Sequence, residues 1–266
     1  MTGGTGYRNR RFTGTFVRFR RNDTRAHGSG GLIAGNYARL RPPWQWTKVA
    51  ETVREAMMDG EETRFLITDE TTLATLYGAP SEGALRKEVD HIPPVYRAFI
   101  EAAPFVVLAT SGPGGMDASP RGDPAGFVTV ADERTLLIPD RRGNNRTDTL
   151  RNLIHDPRIG LLFLIPGVGE TLRVNGRAAI SVAPDLLARF PAQGKLPRSV
   201  LIVTVERVYF QCPKALVRSE LWNPDKHLPR SALPSSGTIL AALTDGAVGG
   251  AAWDAAYPQR LRETIY

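Results

Sequence analysis

Three clusters of polar residues lie at the ends of short apolar segments between residues 116 and 177. They are residues 119–123, 139–146 and 172–176, and each combines arginine with amide, hydroxyl or carboxylate side chains. A guanidinium group binds phosphate through two parallel, charge-assisted hydrogen bonds, and amides hydrogen-bond to polar rings. The three clusters together therefore predict a site for a phosphorylated, hydrogen-bonding cofactor.

The first cluster ends one predicted strand and begins a tight turn. Ser119 and Arg121 share a strand face because they are two residues apart, and Gly122 allows a ligand to approach the backbone closely. Arg121 therefore suits a phosphate group. The alternative is a surface arginine paired with Asp123, and this cluster alone does not decide between the two.

The second cluster places three arginines and two amides directly before a predicted helix. Free N–H groups at a helix N-terminus favour anions, and nearby guanidinium groups add to that preference. The cluster therefore predicts a phosphate site, with a solvated basic loop as the alternative. Its residues are Arg141, Arg142, Asn144, Asn145 and Arg146.

The third cluster places Arg173 and Asn175 on one face of a strand, alternating with Leu172 and Val174. An amide beside a guanidinium suits the pyrimidine edge of a flavin, which presents alternating N–H and C=O groups. Positive charge at that edge would stabilise the anionic reduced flavin. The alternative is a solvent-exposed pair on a β-hairpin.

Short strands joined by Gly and Pro turns dominate the middle of the chain, and helices flank them. This pattern favours a mainly β fold with flanking helices, an antiparallel barrel, over a parallel Rossmann sheet. The predicted strands are residues 105–110, 116–120, 125–130, 135–139, 158–165, 171–181 and 199–211. The predicted helices begin near Asp69, Ser81, Pro93, Thr147, Pro184, Thr238 and Ala251.

The positive net charge is concentrated at the N-terminal end. Residues 1–48 hold ten of the 34 basic residues and one of the 27 acidic ones, which leaves 24 basic and 26 acidic residues elsewhere. We therefore expect no nucleic-acid partner for the body of the protein. Composition predicts that residues 1–57 are a disordered basic extension, whether functional or the product of a misassigned start. The barrel domain with its N-terminal helices is predicted at 58–230, and a helical tail at 231–266.

No apolar stretch approaches the roughly 18 residues of a membrane-spanning helix, so no membrane partner is expected. The single cysteine, Cys212, excludes an intrachain disulfide and favours a reducing compartment, for which the cytoplasm is the simplest assignment. The histidines are too far apart in the sequence for the spacing of metal ligands, and the sequence contains no recognisable catalytic triad.

Several short motifs, none of them specific alone, occur together in one known family. They are residues 67–69, 76–82, 86–92, 118–123, 137–141, 143–146, 172–176 and 212–219. Through them, residues 65 to about 222 resemble the FMN-binding split barrel of the pyridoxamine 5′-phosphate oxidase superfamily. The likeness is greatest to its subgroup of FMN-dependent enzymes of unknown substrate.

The resemblance implies an antiparallel split β-barrel and a homodimer with two FMN molecules at its interface. Carried over by position, Arg121, Asn145 and Arg146 would hold the phosphate and ribityl chain. The backbone near Pro139 and Asp140, with Arg173 and Asn175, would contact the isoalloxazine ring. The partner subunit would supply Lys214, Arg218, Ser219 and Trp222, while Ser119, Arg141 and Asn144 complete the predicted site.

The predicted function is that of an FMN-dependent oxidoreductase acting on an unidentified small molecule, with the chemistry carried by the flavin. The chain departs from true pyridoxamine-phosphate oxidases near its end. Residues 260–263 replace a motif resembling Arg-Leu-His-Asp-Arg and lack its histidine, which argues against vitamin B6 oxidation. The alternatives are an FMN- or haem-binding protein without turnover and a relative that uses a deazaflavin.

Overall fold

The computed structural model describes residues 66–266. Within it, Ala79–Tyr266 form one compact unit, and Gly78 ends a separate one. The predicted extension at residues 1–57 lies outside the described part of the chain, and the predicted domain boundaries stay predictions. No helix between residues 66 and 266 is long and apolar enough to cross a membrane.

Three helices precede the sheet, and each begins where the sequence predicts. They are α1 (Glu70–Tyr77), α2 (Glu82–Arg86) and α3 (Pro94–Ala102). Asp69 caps α1 by accepting a hydrogen bond from the Thr72 N–H at 2.8 Å, and Ser81 caps α2 in the same way. Pro94 occupies the first turn of α3, where its missing N–H costs no intrahelical bond.

Seven strands form one antiparallel sheet in the order β2-β1-β5-β6-β7-β4-β3. The predicted mainly β fold with flanking helices is confirmed, and the architecture is that of a split barrel. Because β2 and β3 are the edge strands, β2 and β4 belong to opposite ends of the sheet. The strands are β1 (Phe105–Gly112), β2 (Gly115–Gly122), β3 (Thr129–Asp132), β4 (Thr135–Asp140), β5 (Arg158–Leu164), β6 (Thr171–Ser181) and β7 (Ser199–Gln211).

The remaining helices lie between and after the strands. They are α4 (Asp148–His155), α5 (Pro184–Leu187), α6 (Lys214–Ser219), α7 (Ser236–Leu243) and α8 (Gly250–Thr264), with 3-10 turns at Pro224–Lys226 and Arg230–Ala232.

Two expectations about the elements are wrong in detail. The strand predicted at 125–130 begins only at Thr129, because the N–H of Phe127 turns back to the Pro124 carbonyl. Gly126 takes a φ of 88° in that turn. The helix α6 was not predicted, since its six residues carry no side-chain cap that marks its start.

The core lies on one face of the sheet, as strand alternation requires. The fully buried apolar residues include Val106 and Leu108 in β1 and Leu172 and Val174 in β6. Burying such a side chain fully contributes about 1.5–3 kcal/mol relative to exposure. The polar residues between them are thereby directed to the other face.

A smaller apolar cluster covers the other face of β4. Leu137 packs there with Val200 of β7 and Phe190, which follows α5. Because both faces of β4 are covered, the strand is fixed up to its last residues, Pro139 and Asp140. Asp140 at this end of β4 pairs with Arg121 at the end of β2.

A β-bulge interrupts the β6–β7 pairing between Asn175 and Gly176. A Cβ atom added at Gly176 would collide with the backbone carbonyl of Thr204. The bulge sets the direction of Asn175, which belongs to the third polar cluster.

We therefore predict that Gly176→Ala lowers the free energy of unfolding by about 3 kcal/mol, because a backbone clash cannot be relieved by a rotamer change. Chemical denaturation followed by circular dichroism measures the loss. Gly114→Ala is the matched control, since nothing lies within 4 Å of its added Cβ. Equal stability of the two variants would contradict the predicted clash.

Candidate functional site

The ends of β2 and β4 and the loop before α4 line a cavity of about 700 Å³. The structure thus brings together the first two polar clusters, which come from opposite ends of the strand order. Eight of the predicted site residues line the cavity: Ser119, Arg121, Pro139, Asp140, Arg141, Asn144, Asn145 and Arg146.

Strand alternation directs three side chains of β2 into this cavity. Residues that oppose each other directly in an antiparallel pair share a face. Arg121 is opposite Val106 and Ser119 is opposite Leu108, and both β1 residues face the core. The polar side chains of Asp117, Ser119 and Arg121 therefore continue the inner face of the sheet.

Two crossed ion pairs join the end of β2 to the end of β4. Arg121 Nη2 lies 3.1 Å from Asp140 Oδ1, and Arg141 Nε lies 2.8 Å from Asp123 Oδ2. All four side chains are at most 21% exposed, so water screens these pairs less than surface pairs. They connect the two ends of the sheet at the cavity wall.

Arg121 pairs with Asp140 and not with Asp123, the partner considered from the sequence. Its Nε and Nη2 both contact Asp140, while Nη1 donates to the Pro120 carbonyl at 3.0 Å. All three nitrogens of this guanidinium are therefore engaged. An anion that binds at Arg121 has to compete with the Asp140 carboxylate.

The loop before α4 offers donors with free capacity. Asn145 and Thr147 have left-handed φ angles of 63° and 58°, and Thr147 makes no side-chain cap to α4. The first N–H groups of a helix have no acceptor within it, and the first residues of α4, Asp148 to Leu150, line the cavity. The 76%-exposed Arg146 stands beside them, its Nε 2.8 Å from Asp148 Oδ2. This arrangement suits a phosphate group.

The charges that line the cavity nearly balance. Its lining contains five arginines and four aspartates. Three of the arginines pair with aspartates, whereas Arg142 and Arg198 have no carboxylate within 4 Å among residues 66–266. Arg198 Nη1 donates instead to Asn145 Oδ1 at 2.8 Å. The uncommitted positive charge therefore lies near the loop and not at Arg121.

Arg173 and Asn175 lie on the opposite face of the sheet from Arg121. Arg173 is opposite Leu162 in β5, which is opposite Val107 in β1. Because Val107 alternates with fully buried residues of β1, this face is the outer one. A single chain therefore does not bring the third cluster to the cavity.

The residues predicted to come from a partner also lie outside the cavity lining. Lys214 and Arg218 are exposed on α6. Trp222 Nε1 donates to the Val168 carbonyl at 2.8 Å, and the Ser219 hydroxyl donates to the Leu216 carbonyl. Their contact with a cofactor stays a prediction.

Sequence reasoning missed several residues that line the cavity. Asp117 precedes Ser119 by two positions, so strand alternation was a usable signal. It accepts hydrogen bonds from the hydroxyls of Ser119 at 2.9 Å and Thr149 at 2.5 Å. Arg198 and Tyr266 carry no such local signal, since tertiary contacts alone bring them to the cavity.

Tyr266 reaches the cavity from beyond the end of α8. Its hydroxyl donates to Asp123 Oδ1 at 2.5 Å. This hydrogen bond, with burial as a smaller cause, raises the pKa of Tyr266 above its ordinary value of 10.0. The contact therefore stabilises the fold fully below that value and is lost as the pH rises through the higher pKa of the folded state.

The fold and the cavity define an antiparallel split-barrel protein with an arginine-lined cavity where the two ends of the sheet meet. The family model described as pyridoxamine 5′-phosphate oxidase matches residues 92–212. The predicted resemblance to the pyridoxamine 5′-phosphate oxidase superfamily is confirmed over these residues.

Several solved structures are similar at low identity, and no curated protein matches the chain. HupZ from Group A Streptococcus is 18% identical, with a TM-score of 0.37 over 44% of this chain and 91% of that one. A protein related to general stress protein 26, from Clostridium acetobutylicum, is 13% identical, with a TM-score of 0.34 over 43% and 84%. An FMN-binding protein from Syntrophomonas wolfei is 14% identical, with a TM-score of 0.34 over 43% and 82%.

We predict that Asp123→Asn lowers the free energy of unfolding by about 3 kcal/mol. The Asp123 side chain is 4% exposed. Removing its negative charge leaves the largely buried Arg141 guanidinium without its counter-ion. Urea denaturation measures the change.

The control for this variant is Asp90→Asn, which removes an ion pair with Arg134 whose two side chains are 63% and 49% exposed. Exposed pairs contribute about 0–1 kcal/mol. If both variants lose the same small amount, the Arg141–Asp123 pair does not stabilise the join between β2 and β4.

Proposed function

We propose that the protein is an FMN-dependent oxidoreductase whose flavin binds in the cavity between β2, β4 and α4. The observation that carries the proposal is the anion-binding loop before α4, set in a cavity of about 700 Å³ within a domain of this superfamily. The substrate is an unidentified small molecule. We also propose that the chain belongs to the subgroup of FMN-dependent enzymes of unknown substrate and acts in the cytoplasm.

The donors and acceptors of the cavity fit the parts of FMN. Arg146, Asn145 and the first N–H groups of α4 would hold the phosphate, with Arg198 and Arg142 supplying uncommitted positive charge. This differs from the assignment of the phosphate to Arg121, whose guanidinium already binds Asp140.

Hydroxyl-binding groups lie between the phosphate loop and the end of β4. Asp117 and Ser119 would accept hydrogen bonds from the ribityl hydroxyls, because their oxygens line the cavity. The backbone at Pro139 and Asp140 would contact the ring. When bound, FMN supplies hydride transfer, and the protein contributes orientation and charge.

The outer face of the sheet supports a homodimer. Val107, Leu162 and Leu164 are only half-buried there, and Phe105 is 38% exposed. A second copy that packed on this face would bury these apolar residues in a self-complementary contact. Arg173 and Asn175 lie on the same face, so this packing would also bring the third polar cluster to the interface.

The end of the chain supports a substrate other than pyridoxamine phosphate. Arg260 stands where the related oxidases begin their substrate motif, but its guanidinium stacks on Trp253, 3.8 Å from the ring centroid. It also lies 5.4 Å from the Tyr257 ring centroid. Arg260 is therefore engaged within α8, and it does not line the cavity.

We expect Arg146→Ala to raise the dissociation constant of FMN about tenfold or more, since a lost charge-assisted phosphate contact costs about 1.5–3 kcal/mol. Titration of the full chain with FMN, followed by quenching of flavin fluorescence, measures the constant.

Arg158→Ala is the matched control, because Arg158 is equally exposed and also pairs with an aspartate two residues away. It should bind FMN like the wild type. Wild-type protein that does not bind FMN, or that instead takes up haem or a deazaflavin, would refute the proposed cofactor. If FMN binds but no small-molecule substrate reduces it, the result favours the alternative of an FMN-binding protein without turnover.

We expect Leu162→Glu to abolish the dimer, because it places a charge in the centre of the proposed apolar interface. Sedimentation measures the mass of the wild type and the variant. Ile154→Glu, on the 73%-exposed residue of α4, is the control and should remain dimeric. A wild-type protein that sediments as a monomer contradicts the proposed interface.

A further inference from the structure

Tyr266 connects the C-terminal helix α8 to the candidate flavin cavity. Together with Ile265 it lines the cavity wall, although it lies 143 residues from its hydrogen-bond partner Asp123. No other residue beyond Ser199 belongs to the described lining. The two residues are therefore the whole contribution of the C-terminal helices to this cavity.

Three contacts hold Tyr266 in this position. Its hydroxyl donates to Asp123 Oδ1 at 2.5 Å, and its main-chain oxygen accepts a hydrogen bond from Lys195 Nζ at 2.8 Å. The Arg141 guanidinium lies 5.6 Å from the centroid of its ring, within the range of a cation–π contact. The ring is thus fixed alongside the Arg141–Asp123 ion pair.

The hydroxyl of Tyr266 completes the hydrogen bonding of Asp123. Arg141 Nε occupies Oδ2 and Tyr266 occupies Oδ1. Arg141 is anchored further by its Nη1, which donates to the Phe190 carbonyl at 2.6 Å. Since a nearly buried carboxylate needs partners on both oxygens, Tyr266 helps to keep this ion pair in one geometry.

Tyr266 also supplies the more exposed of the two aromatic rings in the described lining. The described lining contains two aromatic residues, Phe127 and Tyr266. Phe127 is 8% exposed and belongs to the core, whereas Tyr266 is only half-buried. Such a ring can stack on a planar heteroaromatic ligand.

Contacts other than those of Tyr266 join α8 to α7. Asp254 accepts hydrogen bonds from the Gly237 N–H at 2.8 Å and from the Ser235 hydroxyl, which ties α8 to α7. Arg260 stacks on Trp253 in the same helix. The contacts of Tyr266 with Asp123 and Lys195 are therefore not needed to hold α7 and α8 together.

We propose that Tyr266 is a positioning residue of the flavin cavity, which fixes the Arg141–Asp123 pair through its hydroxyl and presents its ring to the planar part of the ligand. This inference rests on the proposed binding of FMN. It assigns to the end of α8 a direct part in ligand binding. The ligand class that it favours is a flat heteroaromatic ring that carries an anionic group.

The test uses the full chain with Tyr266→Phe and Tyr266→Leu, titrated with FMN. Tyr266→Phe keeps the ring and should raise the dissociation constant about threefold to tenfold, since it loses one hydrogen bond to a charged group. Tyr266→Leu loses the ring as well and should raise it more. It should also alter the visible circular dichroism of the bound flavin, which a merely structural residue would leave unchanged.

Tyr257→Phe is the matched control, because Tyr257 lies on α8 but outside the cavity lining. It should bind FMN like the wild type, and thermal unfolding verifies that all variants fold. If both Tyr266 variants bind FMN with the wild-type constant and spectrum, the inference is wrong while the proposed cofactor stands. If the wild type itself does not bind FMN, both the proposed function and this inference are wrong.

Discussion

The site depends on two crossed ion pairs, Arg121 with Asp140 and Arg141 with Asp123. They connect β2 to β4 at opposite ends of the strand order. Buried charges are tolerated only when they are paired, so each arginine requires the carboxylate that the other strand supplies. The same pairing that joins the sheet ends also makes the wall of the cavity polar. The arginines without a carboxylate partner, Arg142 and Arg198, lie near the loop before α4.

This constraint shapes how the cavity can receive a ligand. An anion finds Arg142, Arg198 and the first N–H groups of α4 available, whereas Arg121 is already engaged by Asp140. Tyr266 adds a hydroxyl on the remaining oxygen of Asp123. Binding at the loop therefore need not break the ion pairs, so the join between the sheet ends and an occupied cavity are compatible.

The two-residue period of β-strands explains both a success and a failure of sequence reasoning. It correctly places Ser119 with Arg121 on one face, and Arg173 with Asn175 on one face. The period does not reveal that these two pairs lie on opposite faces of the sheet. That relation depends on the register across β2, β1, β5 and β6. The joint site inferred from the sequence thus becomes two surfaces, which a second copy of the chain would have to unite.

Local sequence patterns are sufficient to predict the mainly antiparallel β architecture, the helix starts at Asp69, Ser81 and Pro93, and the clustering of arginines and amides at strand ends. These follow from local periodicity, capping and turn residues, which need no distant partner. The pairing of each carboxylate with its arginine, and the positions of Arg198 and Tyr266 at the cavity, emerge from the folded arrangement alone. Those contacts are fixed by packing between residues far apart in the chain, so no local pattern records them.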